Sequence, residues 1–84
     1  MNPYFITFRS VTVAQRGEDA LRRMGIACTL QRTPRWMQER GCGYCLRLRE
    51  QDVMDAADQL RANRVPISKI YRQTAGGRVE EAAL

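Results

Sequence analysis

Two cysteines stand three residues apart in Arg40-Gly41-Cys42-Gly43-Tyr44-Cys45. A thiolate is a strong nucleophile, and nearby cations lower the pKa at which it forms. Arg35, Arg40 and Arg47 supply such cations close by in sequence. Gly41 and Gly43 flank Cys42; glycine takes backbone angles closed to other residues and lets a partner approach the sulfur. The pattern predicts Cys42 as the nucleophile and Cys45 as a resolving thiol able to close a disulfide on it. The plain alternative is a pair of cysteines that happens to lie beside a tight turn.

Other chemistries are excluded by composition. The chain has no histidine, which removes Cys-His and Ser-His nucleophilic mechanisms and every zinc site built on imidazole. A zinc ribbon needs two Cys-x-x-Cys pairs, and one is present; a metal shared across a dimer is the residual metal reading. No cofactor-binding motif is found. Cys28 is the third cysteine and falls on an apolar face, where a thiol packs as a small hydrophobe. An odd number of cysteines fits reduced thiols in the cytoplasm better than a disulfide framework.

The elements that must position the pair follow from periodicity. Tyr4 to Phe8 is β-branched and aromatic, which predicts a strand. Ser10 is a helix N-cap, and Val13, Ala14, Gly17, Ala20, Leu21 and Met24 recur at helical spacing up to Gly25, a C′ residue. Ile26 to Arg32 alternates with period two and reads as a half-buried strand with Ile26, Cys28 and Leu30 on one face. Thr33-Pro34-Arg35 breaks it, and residues 36–41 read as loop. Tyr44 to Arg49 alternates again, with Tyr44, Leu46 and Leu48 opposite Cys45, Arg47 and Arg49. Residues 50–63 are helical through Val53, Ala56, Ala57 and Leu60, with acids early in the helix, where they suit its dipole. Pro66 forces an extended approach to a last strand, Ile67 to Arg72.

This order predicts an α+β, ferredoxin-like βαββαβ fold: a four-stranded antiparallel sheet with two helices on one face and the other face open. Residues 1–72 form the single domain, and 73–84 form a polar flexible tail, or a short helix over 79–84 against a partner. The chain is 84 residues long with a formal net charge of +5, almost all of it arginine. No apolar run is long enough to cross a bilayer and no signal peptide opens the chain. A core this small makes a homodimer plausible.

With Leu46 and Leu48 turned to the helices, Cys45, Arg47 and Arg49 lie on a basic open sheet face. That face supports the alternative function, an RNA-recognition-like nucleic-acid-binding module. Arg40-Gly41-Cys42-Gly43-Tyr44-Cys45 resembles the RNP1 motif on the third strand of that fold. Cys42 and Arg47, however, stand where aromatics belong. The phase also conflicts: RNP1 would turn Tyr44 outward and bury Arg47, whereas the leucines require the opposite.

The chain also resembles a family of short bacterial proteins described as putative selenium/sulfur carrier protein-like, over residues 4 to about 72. The resemblance is carried by Phe8 and Ser10, Ala14 and Leu21, Gly25-Ile26, Pro34-Arg35, Cys42-Gly43 followed by Leu46-Arg47, and Ile70-Tyr71. The Cys-Gly step after a proline-containing loop is its most specific part. The resemblance implies a small α+β domain in which Cys42 accepts sulfur or selenium as a persulfide or selenosulfide and hands it on. It implies a carrier more than a turnover enzyme, working between a cysteine desulfurase-like donor and an acceptor enzyme. Cys45 stands where a small non-thiol residue is usual, and Glu39-Arg40-Gly41 replaces small hydroxyl residues before Cys42.

Overall fold

A computed structural model of the chain describes residues 2–34 and 43–84. Strand β1 spans Tyr4–Thr7, helix α1 Val11–Arg23, strand β2 Thr29–Arg32 and strand β3 Tyr44–Leu48. Helix α2 spans Glu50–Ala62, strand β4 Lys69–Gln73 and strand β5 Val79–Glu81. The strands form one five-stranded sheet in the order β2-β3-β1-β4-β5. Every pairing is antiparallel, with Ile6 opposite both Leu46 and Ile70.

Both helices lie on one face of this sheet. α1 contributes Ala14 and Leu21, and α2 contributes Val53, Ala56, Ala57 and Leu60, to one buried cluster with Ile6, Phe8, Leu46, Leu48 and Ile70. Gly17 lets the helices and sheet approach closely: a Cβ there would meet Leu60 Cδ2 and Phe8 Cζ at 3.2 Å. Ser10 starts α1 by accepting a hydrogen bond from the Val13 N–H at 3.2 Å. Gly25, with φ of 73°, ends it, and the Ile26 N–H bonds back to the Leu21 carbonyl. α2 stops in the same way, its Val65 N–H on the Leu60 carbonyl. There the left-handed position is taken by Arg64, with φ of 58°.

Two expectations are corrected. The sheet has five strands where four were expected. β5 returns from a turn in which the Gly77 N–H bonds to the Thr74 carbonyl, and residues 79–81 are extended rather than helical. Val79 faces Gln73, Glu80 faces Arg72 and Glu81 faces Tyr71. The acids of β5 read as tail in isolation; opposite Arg72 and Lys69 they become cross-strand ion pairs.

The second face, expected open, is closed at its centre. Phe5 alternates onto it and is only 5% exposed; Thr7 and Cys45 beside it are also buried. All four residues of β1 are buried. A strand at the centre of a sheet covered on both sides carries a continuous apolar run instead of an alternating one.

Candidate functional site

Three of the seven predicted site residues fall within the described residues: Gly43, Cys45 and Arg47. Arg35, Arg40, Gly41 and Cys42 lie outside them. Gly43 takes φ of 80°, in the left-handed region where a side chain would be strained. Its carbonyl accepts the Thr33 N–H at 2.7 Å, and this bond closes the base of the segment that carries Cys42. Thr33 is itself buried. The Thr33 contribution had no signal in the sequence beyond a place ahead of Pro34.

Cys45 lies on the face opposite Leu46 and Leu48, as the alternation requires. Its neighbours across the sheet are Gln31 and Thr7. It packs in a second buried cluster with Phe5, against which Tyr71 and Val79 also pack, and its own exposure is 0%. A basic open surface was expected around this thiol; it is buried, and among the described residues Phe5, Tyr71 and Val79 pack with it. Arg47 shares its face but is exposed and sits further along β3. Arg47 lies four residue steps from Gly43, about 13 Å at the rise of a strand. The strand therefore carries Arg47 away from the Cys42 end.

A different cation stands at that end. Arg32 is paired with Tyr44 across β2 and β3, and its guanidinium lies over the Tyr44 ring at 5.5 Å. Arg32 went unnoticed because its proximity depends on the register of two strands separated by a long loop. The same geometry bears on nucleic acid. Tyr44 packs against the helix-side core, so it offers no ring to the second face, and Phe5 there is buried.

Cys28 packs on the helix-side core, half-buried. It cannot pair with Cys45, because the two lie on opposite faces of the sheet. Burial pushes the Cys28 thiol above its ordinary value of 9.0; the Glu18 carboxylate adds to this and Arg22 partly opposes it. This thiol stays protonated at neutral pH. It opens on a cavity of about 270 Å³ lined also by Asn2, Arg47, Arg49 and Glu50. Arg49 is held by Asp52 at 2.8 Å. Among the described residues no group of three or more His, Cys, Asp or Glu side chains could hold a metal ion. No helix among them is long and apolar enough to cross a membrane.

Residues 3–72 match the protein family described as "Putative Se/S carrier protein-like". The chain belongs to this family. The family match takes in Cys42, Gly43 and Cys45, both helices and the first three strands, and it ends inside β4. β5 lies beyond it. No curated protein and no solved structure matches the chain.

Proposed function

We propose that this chain is a carrier of sulfur or selenium, loaded on Cys42 as a persulfide or selenosulfide. The observation that supports the reading is family membership across residues 3–72, a span that contains the Cys42-Gly43 step. The first four strands and two helices fit the ferredoxin-like arrangement, and β5 is added at the β4 edge. The work belongs to a carrier in the cytoplasm, between a cysteine desulfurase-like donor and an acceptor enzyme.

Loading needs no net redox change. The Cys42 thiolate attacks the outer chalcogen atom of a donor persulfide or selenosulfide. The donor's bond to that atom breaks, its electron pair leaves on the donor thiolate, and a new bond joins the atom to Cys42 Sγ. Unloading reverses the roles: an acceptor nucleophile takes the outer atom and Cys42 leaves as thiolate. Gly41 and Gly43 give access, and Arg35 and Arg40 favour the thiolate, joined by Arg32 at the end of β2. Cys45 offers a second exit. Attack by its thiolate on Cys42 Sγ expels hydrosulfide or hydroselenide and leaves a Cys42–Cys45 disulfide, which a thiol reductant must then reopen. The enclosure of Cys45 makes that exit slow until the second face opens.

Mass spectrometry after incubation with a persulfide-bearing donor protein tests the reading. The native chain gains the mass of one sulfur atom, lost again on reduction, and Cys42→Ser gains none. Equal uptake by Cys42→Ser would sink the proposal.

A further inference from the structure

We propose that the outer edge of β4, with the basic groove beside it, is a strand-addition docking site for an extended acidic segment of a partner protein. In this chain residues 79–84 occupy the site as an exchangeable cover.

Three observations converge on this edge. First, the outer side of β4 is paired in this chain only by β5, a three-residue strand that lies beyond the residues 3–72 of the family match. A strand edge presents a row of N–H and C=O groups that an extended peptide can complete. Second, the chemistry of the edge selects for acid. Arg72 holds Glu80 at 2.6 Å and Lys69 holds Glu81 at 3.6 Å. Beyond them Arg61 donates to the Leu84 carbonyl oxygen. Arg61, Arg64, Ser68, Lys69 and Ile70, together with Glu81 to Leu84 of the cover itself, line a groove of about 560 Å³. The groove is large enough for several residues of peptide. Third, the present occupant is lightly held. β5 is three residues long, and only Val79 and Ala82 of the cover are partly buried. The Glu81 side chain is 61% exposed. Exposed ion pairs contribute little to stability, and a short, exposed edge element opens far more readily than the core.

The cover and a partner segment compete for one edge. The apparent affinity of the partner is therefore reduced by the fraction of time the edge is uncovered. No cysteine takes part, so this site and the carrier chemistry stand or fall separately.

The test uses the full chain and a fluorescent peptide carrying this chain's own residues 78–84, read by anisotropy. Two full-length release variants are compared with the native protein. Glu80→Arg with Glu81→Arg sets like charges against Arg72 and Lys69. Ala82→Pro removes the N–H that bonds to the Ile70 carbonyl at 2.7 Å. Hydrogen exchange of the Arg72 amide, which faces Glu80 of β5 while the Gln73 N–H bonds to the Pro3 carbonyl on the β1 side, reports whether the cover has left. The expected result is faster exchange there in both variants and peptide binding at least ten-fold tighter than to the native chain. Adding Lys69→Glu and Arg72→Glu to the Ala82→Pro chain abolishes that gain, and a peptide with both glutamates changed to lysine binds at least ten-fold more weakly. The proposal is overturned if the variants release the cover without gaining affinity, or if neither variant releases it. It is also overturned if the lysine peptide binds equally well, if inorganic phosphate displaces the peptide at matched concentration, or if light scattering shows that released chains exchange β5 to form dimers.

Discussion

Replacing Gly17 by alanine sets two opposing effects against each other, and the structure decides the sign. Alanine is favoured over glycine inside a helix by about 1 kcal/mol. The new methyl would lie 3.2 Å from both Leu60 Cδ2 and Phe8 Cζ, and 3.4 Å from Phe8 Cε1. Those side chains are fully buried and belong to the main core, so neither has solvent to move into. Overpacking a well-filled core costs about 1–3 kcal/mol. The net expectation is a destabilisation of about 1 kcal/mol, rising further for Gly17→Val. Gly25→Ala is the control. Nothing lies within 4 Å of a Cβ there, but φ is 73°, so its cost of about 1 kcal/mol comes from left-handed backbone alone. Asparagine, which tolerates that conformation, recovers part of the loss at position 25 and none at position 17. Urea unfolding followed by circular dichroism measures all five variants, with the slope watched for departures from two-state behaviour. A Gly17→Ala chain as stable as the native one would refute the argument from close approach.

Three further expectations use other parts of the chain. The Cys28 thiol holds its proton more tightly when folded, so the stability it contributes is complete below pH 9 and is lost as pH rises through the raised folded value. Stability curves from pH 7.5 to 10.5 should flatten at the alkaline end in Cys28→Ala, and Glu18→Gln should speed Cys28 alkylation near pH 8.5 while Arg22→Gln slows it. At the helix starts, Ser10→Ala should cost about 1 kcal/mol, whereas Arg49→Ser should gain a few tenths, because Arg49 makes no side-chain cap; thermal melts distinguish the two directions. Arg64→Gly relieves a left-handed arginine and should raise stability by about 1 kcal/mol, read as a higher urea midpoint.

The helices and the helix-side face were readable because their signals are local. Leu46 and Leu48 set the phase of β3, Ser10 and Gly25 bracket α1, and the stripe from Val53 to Leu60 marks α2. The second face was harder. The run Tyr4-Phe5-Ile6-Thr7 does not alternate, and only the pairing of β1 with strands on both sides shows Phe5 turned away from the helices. Cys45 was assigned to the correct side, but alternation reports direction and not cover, so its enclosure was invisible. Distance along the chain is also a poor guide to register: Arg47 lies along β3 from Gly43, while Arg32 comes back across the sheet to Tyr44. β5 escaped because two of its three residues are acidic, and all three acquire an apolar or ionic partner only once β4 lies alongside.

The place of β1 in the sheet has a consequence for synthesis. The first strand made lies at the centre, and both of its neighbours, β3 and β4, are made much later, with Tyr4 meeting Leu48 on one side and Arg72 on the other. An emerging chain therefore holds Phe5 and Ile6 without a strand on both sides until β4 has been made. Such long-range pairing slows folding and lengthens exposure to aggregation. Ribosome-bound chains halted before residue 69 should accordingly be recognised by chaperones that bind apolar segments, and completion of β4 should end that recognition.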